Sequence, residues 1–174
     1  MRNHHIRQAF HLLSSLLLAF ALLTLGCKSE YRQHYERGKA LEKAGDFAGA
    51  AEAFQQAVAA NPEDAKTFLR LGDAHRELGQ WDKALGAYEK VLSLDPKYSK
   101  AYQRMVGVFE RMGQLDEAIA AGEKGLASGA FDDSESRKAD LEKNLRFLRN
   151  RLKDGRGVIG PVPMESDKDT TPSK

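Results

Sequence analysis

Cysteine occurs once in these 174 residues, at Cys27. That excludes a disulfide framework and any metal site built from several thiolates. Histidine is scarce too: beyond the first 26 residues only His34 and His75 remain, and neither lies in a recognisable motif. There is no HExxH, no GxSxG, no phosphate-binding P-loop and no glycine-rich turn after a strand. No catalytic, cofactor-binding or metal-binding residue is therefore assigned, and an enzyme is not expected. Excess charge of one sign is also missing. Formal net charge is +2, and Arg2 and Arg7 account for it, leaving 25 basic against 25 acidic residues from Cys27 onward. A polycation for nucleic acid is excluded on that balance. The composition, 41% apolar and 30% charged, is that of a folded domain, not of a collagenous, disordered or polytopic membrane chain.

The one long apolar run is Leu12–Leu25, broken only by Ser14, Ser15 and Thr24. It follows a basic start and ends at Gly26-Cys27, the plan of a secretory signal. Its 14 residues are short for a membrane-spanning helix, which needs about 20. Thr24-Leu25-Gly26-Cys27 resembles the cleavage box of a bacterial lipoprotein. The resemblance implies a signal over 1–26, diacylation of the Cys27 sulfur, a short linker over 27–30 and a lipid-anchored protein of the cell envelope. Lys28 stands where many inner-membrane lipoproteins carry Asp, which favours the periplasmic face of the outer membrane. The other reading is an ordinary signal, or an uncleaved anchor from about Ile6 to Gly26 with Cys27 a bystander. Either way the rest of the chain lies outside a bacterial cytoplasm.

The middle of the chain repeats itself at a spacing of 34 residues. Gly38 aligns with Gly72, Ala40 with Ala74, Gly45 with Gly79 and Gly113, Phe47 with Trp81 and Leu115. Ala50 aligns with Ala84 and Ala118, Phe54 with Tyr88, and Pro62 with Pro96. A fixed period of this length marks a solenoid. Each unit reads as two helices: Arg32–Ala44, a Gly45-Asp46 stop and N-cap, then Phe47–Ala60 closed by Asn61-Pro62. Gln80 and Gln114 take the place of the Asp cap in the later units. Gly38 and Gly72 are expected to face Ala50 and Ala84, with Phe54 and Tyr88 filling the wedge to the next unit. His75 and Trp81 read as packing residues.

These residues resemble the tetratricopeptide repeat, whose aromatic-x2-Leu-Gly-x2-Tyr, Ala-x3-Phe, Pro pattern is met by Phe68, Leu71, Gly72, Ala84, Tyr88 and Pro96. The resemblance implies an all-α solenoid of about three helical hairpins, over 31–64, 65–98 and 99–132. In the third unit Val106 replaces the Gly, Gly122 the aromatic and Ala130 the Pro, so the repeat ends there. Leu141, Leu145, Leu148 and Leu152 then form one helical stripe, opposite a charged face, in a capping helix over 133–153, started by Ser134 or Ser136. The segment 154–174, with three glycines and three prolines, is expected to be disordered.

Such repeats offer a concave surface lined by the first helix of each unit, across which residues 34 apart form ladders. The ladders Lys43-Glu77-Arg111 and Glu42-Arg76-Glu110 alternate in sign and are expected to pair within themselves. Arg32, Lys66, Arg70, Lys100 and Arg104 form a basic patch with no internal partner except Glu36. Tyr35 and Leu69 would add apolar contact, and Lys39 lies on the same surface. The clamp by which tetratricopeptide domains of heat-shock co-chaperones hold a carboxyl terminus is matched at Lys100 and Arg104. Tyr35, Lys39 and Arg70 depart from it. The expected function is a non-enzymatic scaffold or assembly factor that binds an acidic or carboxylate-bearing segment of an envelope protein. Alternatives are an adaptor or regulator of a peptidoglycan-acting enzyme and a pilotin-like factor for pilus or secretin assembly. The same Lys and Arg residues also read as a solvated face with no ligand.

Overall fold

The computed structural model describes residues 29–154. The expected signal, Cys27 and the tail beyond Asp154 that was expected to be disordered lie outside these residues. Among the described residues there are seven helices and no strand. They fall into two compact units that meet in sequence at Leu94 and Asp95. The first holds α1 (29–44), α2 (Phe47–Ala60), α3 (Ala65–Glu77) and α4 (Trp81–Leu94). The second holds α5 (Ser99–Arg111), α6 (Leu115–Ala127) and α7 (Glu135–Lys153). None of the described helices is long and apolar enough to cross a membrane. α2 has the bounds expected from sequence, whereas α1 is already helical at residue 29, three residues before its expected start.

One turn joins the two helices of every hairpin. Gly45, Gly79 and Gly113 have φ of 81°, 68° and 76°, the left-handed region where a Cβ is penalised. The Gly45 N–H bonds to Glu42 O and the Asp46 N–H to Leu41 O, the paired closure of a Schellman motif. Gly79 with Gln80 and Gly113 with Gln114 repeat both bonds. Asp46 then caps α2 by accepting from the Gly49 N–H at 2.9 Å. Gln114 makes no side-chain cap bond. The side chain of Gln80 meets the His75 ring at 2.8 Å.

The core of the first unit gathers Ala50, Ala51, Phe54, Val58, Leu71, Ala74 and Ala87, flanked by Tyr35, Leu41, Phe68 and Leu78. The atoms nearest to the glycines at the repeat spacing belong to the ring expected to fill the wedge. A Cβ at Gly38 would lie 2.6 Å from the Phe54 ring, and one at Gly72 would lie 2.5 Å from the Tyr88 ring. Helical side chains lean toward the turn before their own Cα, so each ring covers the turn that carries Ala50 or Ala84 and meets the glycine there. Gly86, on α4, has open space around it. Gly86→Ala is therefore expected to stabilise by about 0.5–1 kcal/mol through helix propensity. Gly72→Ala is expected to destabilise by about 1–3 kcal/mol through overpacking against a buried ring. Urea unfolding followed at Trp81, the one tryptophan, measures both.

The second unit exchanges large and small. Val106 is buried at the glycine site of α5, and Gly122 occupies the aromatic site of α6. The vacated volume is taken by Leu145 of α7, whose Cδ2 would sit 2.5 Å from a Cβ on Gly122. Leu141, Leu145 and Leu148 are buried, as the stripe predicts, but Leu152 is 39% exposed because α7 outruns what it packs on. Ser134 caps α7 by accepting from the Arg137 N–H. Across this unit Arg137 donates to Ser99 Oγ at 2.9 Å, and Arg149 pairs with Glu123 at 2.6 Å. Phe147 interrupts the charged outer face at 57% exposed, with the Arg151 guanidinium 5.8 Å from its ring centre.

Candidate functional site

α1 and α3 are the first helices of the two hairpins in the first unit, and two of the expected groove residues, Lys39 and Arg70, meet the ring of a third, Tyr35. Tyr35, half-buried on α1, stacks on Tyr31 with ring centres 5.7 Å apart and tilts onto Phe54 at 6.1 Å. The Lys39 ammonium lies 5.5 Å from its centre and the Arg70 guanidinium 5.8 Å. Arg70 Nε donates to the Tyr35 hydroxyl at 3.2 Å, and Arg70 Nη1 donates to Glu42 Oε2 at 2.5 Å. Burial disfavours the Arg70 charge, but the Tyr35 hydroxyl and the Glu42 carboxylate outweigh it and raise the pKa above its ordinary value.

Three expectations are corrected here. Arg70 is not an unpartnered cation: its fork spans α1 from Tyr35 to Glu42, a reach that alignment by rung does not reveal. Leu69 is 8% exposed and belongs to the core, so it offers no surface contact. The alternating ladders do not pair along their rungs. Glu42 takes Arg70, Arg76 takes Glu77 and Asp73 on its own helix, and Glu110 takes Arg151 of α7 at 3.1 Å. Long guanidinium side chains find carboxylates within a turn, or on a helix packed alongside, before they reach a rung partner.

Of the remaining candidates, Glu36 pairs with Lys39 at 2.9 Å. The side chains of Arg32 and Lys66 are exposed and make no ion pair among the described residues. Lys100, exposed, and Arg104, half-buried, lie on α5 of the second unit. Among the described residues no cluster of His, Cys, Asp or Glu is arranged to hold a metal.

A second polar cluster was not anticipated. Asp64, the N-cap of α3, accepts on Oδ2 from both the Tyr31 hydroxyl and the Thr67 hydroxyl, and on Oδ1 from the Lys66 N–H at 3.3 Å. Burial pushes the Asp64 carboxyl upward, but the Thr67, Tyr31 and backbone hydrogen bonds outweigh it and hold it below the ordinary 3.8. The available signal was an Asp one residue before a helix, facing a Tyr near its rung partner. A lowered native pKa gives stability that is present above the unfolded value and lost as pH falls through the native one. Asp64→Asn, which keeps a capping oxygen, should cost about 1 kcal/mol at neutral pH. It should also flatten the fall in stability below about pH 4, which acid titration of the urea midpoint measures.

His75 is half-buried as expected, bonded to Gln80 and edging a shallow depression of about 500 Å³ with Ala51, Gln55, Leu78 and Lys83. Burial lowers its pKa below 6.5, and Lys83 adds to the effect against the Gln80 hydrogen bond. Tyr88, fully buried, donates its hydroxyl to Asp73 at 2.9 Å.

Two family models, both described as tetratricopeptide repeat, match residues 35–102 and 77–139. No curated protein matches the chain. Among solved structures, PcrH in complex with the chaperone-binding region of PopD is similar at TM-score 0.65 and 24% identity, over 72% of this chain and 95% of that one. The type III secretion translocator chaperone SycD of Yersinia enterocolitica follows at 0.63 and 20%, over 70% and 85%. The first tetratricopeptide domain of Spaghetti (RPAP3), bound to the HSP90 peptide SRMEEVD, gives 0.60 and 20%, over 72% and 97%. The 34-residue period, the three glycine turns and the two matching models agree, and the chain belongs to the tetratricopeptide repeat family.

Proposed function

We propose that this chain is a non-enzymatic binding scaffold of the bacterial cell envelope. Cys27 carries a lipid anchor, placed on the periplasmic face of the outer membrane, and the protein receives an acidic segment of a partner protein on the face formed by α1 and α3. The observation that carries this reading is the Tyr35–Arg70–Glu42 platform with the exposed cations Arg32 and Lys66 beside it. The platform is rigid, because Arg70 is held at two points and Tyr35 between two cations and two rings. A rigid aromatic surface edged by charges without partners suits a peptide that brings its own carboxylates. Two of the structurally similar domains were solved with segments of partner proteins, and one of those, SRMEEVD, carries three acidic residues in seven.

The test is fluorescence anisotropy of an acidic peptide with a free carboxyl terminus on the detergent-solubilised full chain. Arg32→Glu with Lys66→Glu is expected to weaken binding by about tenfold at low salt, equivalent to about 1.4 kcal/mol. Added salt should weaken the native complex in the same direction, since exposed charge pairs are screened. Lys100→Glu with Arg104→Glu tests the second unit separately. Affinity unchanged by the Arg32 and Lys66 pair would remove the assignment of this face.

A further inference from the structure

The unpaired cations of the candidate face lie at the end of the first unit nearest to Cys27. α1 is helical from residue 29, two residues after Cys27. Two residues of extended chain span at most about 7 Å. The helical rise adds about 4.5 Å to reach Arg32. The Arg32 Cα therefore lies within about 12 Å of the Cys27 Cα by covalent reach alone. Tyr31, in the same turn, donates to Asp64, and Asp64 accepts from the Lys66 N–H, so the first turns of α1 and α3 are fastened together. Lys66 thus shares this end. Of the four cations on the face, the two farther along their helices have carboxylate partners: Lys39 has Glu36 and Arg70 has Glu42. Arg32 and Lys66 do not, among the described residues. The Gly45 turn at the other end of α1 is about 20 Å further on.

We infer that the occupant of this face is an acidic juxtamembrane segment of a protein embedded in the same membrane as the anchor. The inference rests on the proposed lipidation of Cys27 and on the proposed acidic-peptide reading. A chain anchored two residues before a rigid helix cannot swing Arg32 and Lys66 far from the headgroup layer, so an acidic segment must come to them there. Lipid headgroups are the weaker occupant, because Glu30, Glu63 and Asp64 at the same end outnumber the two cations. A surface with no net positive charge gains little from an anionic leaflet, whereas a single peptide carboxylate can be received locally at the exposed Arg32 and Lys66 side chains.

The experiment uses the full lipidated protein in phosphatidylcholine vesicles with a synthetic single-span peptide. One version carries its acidic segment next to the span, and the other carries it beyond a flexible spacer of about 20 residues, whose root-mean-square reach is about 25 Å. Crosslinking yield is the readout. The native protein should favour the proximal version by about tenfold through effective concentration. A Gly/Ser spacer of similar length inserted between Lys28 and Ser29 should abolish that preference. Arg32→Glu with Lys66→Glu should lose both. Equal capture of the two versions by the native protein, while the free acidic peptide still binds in solution, overturns the membrane-side placement alone. Failure of the free peptide to bind overturns the acidic-peptide reading and this inference with it. Peptide-free vesicle binding that needs phosphatidylglycerol together with Arg32 and Lys66 identifies the headgroup as occupant and overturns the inference.

Discussion

Gly122→Tyr, which makes the third repeat look more like the first two, is expected to destabilise the second unit by about 3 kcal/mol. In the first two hairpins an aromatic on the second helix lies over a glycine on the first: Phe54 over Gly38 and Tyr88 over Gly72. The third hairpin has Val106 where that glycine would be, so a ring has no floor to lie on. Its space is already filled from outside the repeat by Leu145, 1% exposed, with three side-chain atoms within 3.2 Å of where a Cβ on Gly122 would stand. Leu145→Ala alone should cost about 2–5 kcal/mol, because it leaves a cavity over a glycine. Combining the two changes should cost clearly less than their sum, the signature of groups competing for one volume. Hydrogen exchange of α6 and α7 reads this loss within the second unit itself. Costs that add to within about 0.5 kcal/mol would show that Gly122 and Leu145 are not coupled.

That exchange of large and small also explains which parts of the molecule were legible in the sequence. The turns at Gly45, Gly79 and Gly113 were legible because their cause is local: a left-handed residue, then a new helix start. The bounds of α2 and the Ser134 cap of α7 were legible for the same reason. The glycine–ring contacts were half legible. The spacing marks the small and large positions, but which partner each meets depends on the lean of a side chain across a helix crossing. The missing aromatic at Gly122 was legible from the period, whereas the contact by which Leu145 of α7 fills its place is a matter of tertiary packing. On the candidate face, Lys39 and Arg70 lie against the Tyr35 ring. Their interactions were not legible, because a guanidinium reaches over more than one turn and ignores rung registry. Leu69 could have been assigned to the core, since a leucine flanking Phe68, Leu71 and Gly72 is buried by default.

Cys27→Ser is expected to leave an unprocessed precursor in the detergent phase or, where residues 1–26 are still removed, to release the protein into the aqueous phase. None of the helices among the described residues is long and apolar enough to cross a bilayer. An acyl chain contributes about 0.8 kcal/mol per buried methylene, and two chains together hold a protein stably where one does so only marginally. Serine offers no thiol for the diacylglyceryl transfer, and processing that requires the lipidated residue then stalls. Two outcomes agree with the lipid anchor: a precursor that keeps residues 1–26 and stays with the membrane through Leu12–Leu25, or a cleaved protein that becomes soluble. Phase partition in Triton X-114 with mass measurement of the amino-terminal peptide separates them. The wild-type peptide should begin at Cys27 with the mass of its acyl groups added. A wild-type peptide that still contains residues 1–26, with partition unchanged by the substitution, would make the apolar segment itself the anchor and leave Cys27 without a role.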